Sequence, residues 1–70
     1  MKKKILIEGM SCENCVRHVT VALKELEGVM EAEVILDKKQ ATIKGKNVSD
    51  EEIREAIEEV GYEVVAIEEI

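Results

Sequence analysis

Aromatic residues and proline are nearly absent from this chain, which has one tyrosine, no tryptophan, no phenylalanine and no proline among its 70 residues. Proteins that bind single-stranded nucleic acid commonly stack the bases on aromatic side chains, and this chain has almost none to offer. The formal net charge of −6 also repels a phosphate backbone. The composition therefore argues against nucleic-acid binding, and it predicts a core built from aliphatic side chains.

Long hydrophobic runs are absent as well. No apolar stretch approaches the roughly 20 residues that a helix needs to span a membrane. The basic start, residues 1–4, is followed by an apolar run that stops at Glu8, which is too short for the core of a signal peptide. We therefore expect one small domain, residues 1–70, that is not inserted in a membrane and stays in the cytoplasm.

Cysteine is rare too, and both copies, Cys12 and Cys15, lie in one short segment, GMSCENC at residues 9–15. A strand-like apolar run precedes this segment and a helical pattern follows it, so we expect Cys15 at or near the N-terminus of a helix. Free backbone N–H groups and the positive end of the helix dipole favour a thiolate there. In a reducing compartment such a pair is more typical of a metal site or a redox centre than of a structural disulfide.

The spacing of apolar residues predicts six elements in the order β-α-β-β-α-β. Strands are expected at residues 3–8, 29–36, 40–44 and 62–67, and helices at about 12–27 and 49–60. Gly28 is expected to cap the C-terminus of the first helix, and Gly61 is expected to end the second. The second helix is expected to begin with a capping box formed by Ser49 and Glu52. Two such halves predict an α+β, ferredoxin-like open-faced sandwich, with a four-stranded antiparallel sheet and both helices on one face.

The same pattern assigns side chains to faces. The second helix is expected to bury a stripe formed by Ile53, Ala56, Ile57 and Val60. The face of the sheet that no helix covers is expected to carry four apolar residues: Leu6, Ile35, Val65 and Ile67. Of these, Leu6 and Val65 are expected to lie on neighbouring strands. Such residues are typical either of an association surface or of ordinary scattered exposure.

Two thiolates within one helical turn suit a soft ion such as Cu(I) better than Mg²⁺ or Ca²⁺. Structural zinc prefers four ligands, and two cysteines with one histidine cannot complete such a site without a carboxylate or water. A thiol–disulfide enzyme of the thioredoxin type is the alternative, but that fold is longer and places a cis-proline beside its cysteines. We therefore favour metal binding without enzymatic activity.

Further residues near the cysteines allow more than one interpretation. Met10 carries a soft thioether that could be a third donor, or it anchors the loop in the core. His18 lies one turn after Cys15 and is a third ligand, a hydrogen-bond partner of a thiolate, or a solvated surface residue. Either Ser11 or Asn14 could serve the start of the helix through its side chain.

These residues make the chain resemble the heavy-metal-associated domain family, which includes copper chaperones of the CopZ type and the N-terminal metal-binding domains of copper P-type ATPases. Residues 9–15 match the family's GMxCxxC loop, and the pairs Gly28-Val29 and Gly61-Tyr62 match later junctions of the fold. The similarity covers the whole chain.

The resemblance implies that Cys12 and Cys15 hold one Cu(I) ion in a nearly linear site and pass it to the metal-binding domain of a copper-transporting P-type ATPase. It implies a core position for Met10. It also places Tyr62 beside the metal loop, where its ring shields the sulfurs and its hydroxyl can donate towards a thiolate.

Several alternatives stay open within this resemblance. Tyrosine at position 62 and the extent of the chain favour a free-standing chaperone, monomeric without metal, over a domain of a larger ATPase. Copper could bridge two copies through facing loops. Carriers of mercury, cadmium and zinc share the scaffold, and the resemblance around the motif favours copper among these metals.

Overall fold

Six elements follow one another along the chain in the predicted order. The computed structural model describes residues 1–70, and its elements are β1 (Lys2–Glu8), α1 (Glu13–Lys24), β2 (Val29–Ile35), β3 (Gln40–Gly45), α2 (Asp50–Glu59) and β4 (Glu63–Glu69). The four strands form one antiparallel sheet in the order β2-β3-β1-β4. This arrangement confirms the predicted ferredoxin-like fold.

The hydrophobic core lies between the helices and one face of the sheet. Ile5 on β1 pairs with Ala41 on β3, which pairs in turn with Val34 on β2, so that these three side chains form a row on the covered face. The buried core cluster is entirely apolar and contains no aromatic ring, as the composition predicts: Ile5, Ile7, Met10, Val19, Leu23, Ala41, Ile43, Val48, Ile53 and Ile57.

One prediction for the open face of the sheet is wrong. Ile67 pairs with Ile5 and packs against the core instead of pointing to water. A β-bulge between β1 and β4 is the cause, because Val65 is an extra residue that breaks the strict alternation of faces. On one side of this bulge Leu6 pairs with Ala66, and on the other side Ile7 pairs with Val64.

The other open-face predictions agree with the register. Val65 is 61% exposed and lies on β4, next to the strand that carries Leu6. Leu6 and Ile35 both pair with Gln40 and form a row on the face that the helices leave uncovered.

The first helix is shorter than predicted. It ends at Lys24 with Glu25 as its C-cap, and Gly28 lies in the turn that leads into β2. Gly28 has a φ of +96°, and a Cβ atom at this position would lie 2.2 Å from the carbonyl oxygen of Lys46. Gly28 is therefore required by the close approach of two backbone segments and does not cap the helix.

The second helix begins as predicted. The Ser49 hydroxyl accepts from the backbone N–H of Glu52, whose carboxylate accepts from the backbone N–H of Ser49. Ile53 and Ile57 are buried, whereas Val60 is 38% exposed because it is the C-cap, where the helix ends. Neither helix has the length and apolar character needed to cross a membrane.

Candidate metal site

The two cysteines lie on the loop that joins β1 to α1. Met10 fixes this loop, because its side chain is buried in the core and only 1% exposed. Two residues later the chain has reached the surface, where Cys12 is the N-cap of α1 with extended backbone and no side-chain capping bond. This placement fits the interpretation of Met10 as a core anchor, with its thioether enclosed among aliphatic side chains.

The sulfur atoms of Cys12 and Cys15 lie 3.0 Å apart, and both residues are free thiols. A disulfide bond would bring the two atoms to about 2.05 Å. Cys12 is exposed, whereas Cys15 is half-buried and packs against the core. The pair therefore offers two adjacent sulfur donors, one of which is open to an approaching molecule.

Local hydrogen bonds stabilise Cys15 as a thiolate. Hydrogen bonding with the Cys12 thiol makes the largest contribution and the Tyr62 hydroxyl the next, and together with the backbone of Ser11 they lower the pKa of Cys15 from 9.0 to about 6. The same contact with Cys15 is the main reason why the pKa of Tyr62 rises from 10.0 to about 12. Near neutral pH Cys15 is therefore the charged group of the two and Tyr62 the neutral one.

Tyr62 reaches the metal loop because of the way in which α2 ends. The N–H of Gly61 donates to the carbonyl of Glu58, and the N–H of Tyr62 donates to the carbonyl of Ile57, which together form a Schellman motif. The φ of +96° at Gly61 favours glycine. This turn directs the tyrosine ring to the loop, where its Cδ1 atom lies 3.6 Å from the position that a Cβ atom on Gly9 would occupy.

His18 lies beside Tyr62 at the exposed edge of the site. Its Nδ1 atom is 3.4 Å from the Tyr62 hydroxyl oxygen, which is a long hydrogen bond. The chain contains no group of three or more His, Cys, Asp and Glu residues placed to hold a metal ion. The metal loop therefore presents two sulfurs and no third donor from His18.

The side chain of Ser11 makes no hydrogen bond at the start of α1. Cys12 is the N-cap of α1, and no side chain makes the capping bond. Ser11 contributes through its backbone, which lowers the pKa of Cys15.

The contact between His18 and Tyr62 is the part of the site that the sequence did not reveal. His18 belongs to the first half of the chain and Tyr62 to the second, so no local pattern connects them. Beyond Tyr62 the surface is acidic, with a shallow groove lined by Glu8, Glu58 and Glu63. Glu8 and Glu63 are direct neighbours across β1 and β4.

Known proteins are similar to this chain in sequence. Residues 4–63 match the sequence profile of the heavy-metal-associated domain. The copper chaperone CopZ of Staphylococcus haemolyticus is 47% identical over 66 residues, which span 91% of this chain and 97% of that protein. Human copper-transporting ATPase 2 is 37% identical over 67 residues, which span 93% of this chain and 5% of that protein.

A solved structure has the same fold. The structure described as a CopZ metallochaperone superposes with a TM-score of 0.88 at 34% sequence identity. The match covers 93% of this chain and 100% of that one, so the whole β-α-β-β-α-β arrangement is shared.

Proposed function

Because the chain belongs to the heavy-metal-associated domain family, we propose that it is a copper chaperone. Cys12 and Cys15 bind one Cu(I) ion as cargo, and the protein passes this ion to the metal-binding domain of a copper-transporting P-type ATPase. Transfer occurs by exchange of thiolate ligands, so the copper is never released as a free ion.

The observation that carries this proposal is the pair of sulfurs 3.0 Å apart at the surface, without a third donor beside them. Two soft thiolates select a soft monovalent ion, whereas zinc in a structural site needs four ligands. The low pKa of Cys15, about 6, means that this ligand needs little deprotonation before it binds a metal near neutral pH.

The unequal exposure of the two cysteines supports transfer as well as binding. A metal–thiolate bond is about 2.3 Å long in zinc sites, so two sulfurs on opposite sides of an ion stand about 4.6 Å apart. Copper entry must therefore separate the sulfurs. Cys12 is the ligand that can move, since it is exposed and its side chain makes no capping bond.

Delivery then follows from the same geometry. A thiolate of the partner attacks the copper ion from the exposed side and forms a third copper–sulfur bond. The copper–sulfur bond of Cys12 breaks next, and the partner's second thiolate then replaces the thiolate of Cys15. Two thiolates of the partner have bound the copper ion, and two thiolates are left on this chain. The oxidation state of copper does not change, so the step needs no oxidant or reductant.

This carrier works in the cytoplasm, where thiols stay reduced, and catalyses no chemical conversion of a substrate. Relatives include both small chaperones and a domain of a large ATPase. The metal site described above would serve a carrier in either setting, and the higher sequence identity to the CopZ relative, 47% against 37% for the ATPase, favours the chaperone.

Direct transfer is the experiment that tests this function. The reduced protein is loaded with one equivalent of Cu(I), mixed anaerobically with the metal-binding domain of a copper-transporting ATPase, and separated from it for copper analysis. We expect copper on both proteins even when a chelator that captures free Cu(I) is present. Copper that appears only on the chelator would contradict the proposal, and the Cys12→Ser variant serves as the control.

A further inference from the structure

Strand β2 is one of the two outer strands of the sheet and has a single neighbour, β3. Alternate residues of an antiparallel strand direct their N–H and C=O groups away from that neighbour, so about half of the backbone groups of β2 face outward. The ladder with β3 is regular from Glu31 to Ile35, because its one irregularity lies earlier, between Val29 and Glu31. A regular free edge of this kind is a template for a further strand.

The other outer strand, β4, is less suited to strand addition. The bulge at Val65 divides its ladder with β1 into one part that ends at Ala66 and another that begins at Val64. A bulge twists the edge and interrupts regular pairing. The longer uninterrupted edge of the sheet is therefore that of β2.

A groove follows the β2 edge where α1 lies beside it. Its lining residues come from the first turns of α1 and from the end of β2: Glu13, Val16, Arg17, Thr20, Val34 and Leu36. The floor of this groove is apolar, since Val16, Val34 and Leu36 are half-buried and pack against the core. A free edge next to an apolar groove is the arrangement in which an extended peptide adds a strand and places alternate side chains in the groove.

The side chains of β2 define the segment that fits this edge. Ala32 and Val34 face the core, so Glu31 and Glu33 lie on the open face of the sheet. Both glutamates are exposed, and Glu33 pairs across the ladder with the uncharged Thr42. An added strand therefore places basic side chains beside the glutamates and apolar side chains beside Ala32 and Val34, because opposite charges on neighbouring strands attract.

A second copy of this chain is a poor occupant of the same edge. Two β2 strands that pair antiparallel in a register centred on Ala32 place each Glu31 opposite a Glu33. A register centred on Glu33 places the two copies of that residue opposite each other. Like charges in these positions destabilise a strand pair, and the net charge of −6 adds to the repulsion.

We propose that the β2 edge and the groove beside α1 bind an extended segment of another protein, in which lysine or arginine alternates with small apolar residues. The segment adds to the sheet as a fifth strand, with its basic side chains beside Glu31 and Glu33. One end of the groove lies at Glu13, the residue after Cys12, so the bound protein is held next to the metal loop. The docking involves no metal ion and is independent of the proposed function.

A synthetic peptide tests this docking directly. The probe is a seven-residue peptide of alternating lysine and valine, blocked at both ends and added to the reduced, copper-free, ¹⁵N-labelled protein. We expect NMR shifts and slower amide exchange along residues 31–36 and shifts in the first turns of α1. A peptide of the same sequence with every backbone nitrogen methylated keeps its charge and loses its donors, so it should bind roughly tenfold more weakly or worse.

Three outcomes of this experiment would overturn the proposal. Equal binding of the methylated peptide would show attraction by charge alone. Shifts confined to β4 or to the metal loop would place the peptide elsewhere. A wild-type protein that sedimented as a dimer through β2 would make a second copy the occupant.

Reversal of one charge on the edge tests the choice of segment. Glu33→Lys should weaken binding of the lysine–valine peptide roughly two- to tenfold and improve binding of a glutamate–valine peptide. Glu68→Lys makes the same change of charge at an exposed position of the other outer strand and is the matched control. Its affinity for both peptides should stay close to that of the wild type. Equal effects of the two substitutions would show that only net charge matters and would contradict docking at β2.

Discussion

Tyr62 is, after Cys12, the largest cause of the lowered pKa of Cys15, although Tyr62 and Cys15 come from opposite halves of the chain. The turn at Gly61 sets the position of the tyrosine, and the start of α1 sets that of the cysteine. A site built in this way depends on the whole fold, since the metal loop supplies the sulfurs and the end of α2 supplies the group that tunes one of them.

Alkylation should reveal this tuning in the copper-free protein. We expect the rate of Cys15 modification to rise with pH around a midpoint near 6, the lowered pKa, instead of near the ordinary value of 9.0. Tyr62→Phe should move the midpoint upwards, because the second-largest cause of the shift is then lost. Mass spectrometry of peptides after pulses of iodoacetamide distinguishes the two cysteines, and an unshifted midpoint would count against the hydrogen-bonded thiolate.

The same pKa makes the stability of the copper-free protein depend on pH. The folded-state pKa of Cys15, about 6, lies below the unfolded value of 9.0, so its contribution is fully present above pH 9.0 and is lost as the pH falls towards 6. Urea unfolding under anaerobic, reducing conditions should therefore show a rise in stability between these two values. Cys15→Ser should lack that part of the rise, and an identical pH profile for the variant would refute the linkage.

Met10 tests whether the loop is anchored by packing. Met10→Ala should destabilise the protein by about 2–5 kcal/mol, because it empties a fully buried site in an aliphatic core. Met10→Leu keeps the volume and should cost less than about 1.5 kcal/mol. Urea unfolding measures both, and the copper stoichiometry of Met10→Leu shows whether the thioether is a ligand. Loss of copper from a stable Met10→Leu protein would contradict the anchor role.

Gly61 tests the turn that places Tyr62. No atom lies within 4 Å of a Cβ at this position, so Gly61→Ala creates no clash and reports only on the φ of +96°. We expect it to lower the free energy of unfolding by about 1–2 kcal/mol, with a smaller loss for Gly61→Asn, which tolerates this conformation better. Equal stability of Gly61→Ala and wild type in urea would show that the turn relaxes without cost.

Local signals were sufficient to predict most of the fold. The capping box at Ser49 and the alternation of Ala32 and Val34 with glutamates each depend on residues close in sequence, and each appears as predicted. The error at Ile67 has a different origin. The bulge at Val65 is a property of two paired strands, and alternation within a single strand does not contain it.

The candidate metal site also has one part that local sequence predicts and one part that only the folded structure shows. Cys12 and Cys15 could be identified from one segment, because their spacing and the elements around them are local. The contact of Tyr62 with His18 could not, since it exists only after α2 has ended in its turn and packed beside α1. The family resemblance placed Tyr62 near the loop, and the structure adds its contact with His18.

An anaerobic titration of the reduced protein with Cu(I), against a calibrated chelator and in excess Zn²⁺, tests the central claim most directly. The account predicts one tightly held Cu(I) per chain, undisturbed by zinc, and loss of tight binding in Cys12→Ser and in Cys15→Ser with the fold retained. Binding that zinc displaces, or copper retained by the double serine variant, would contradict it.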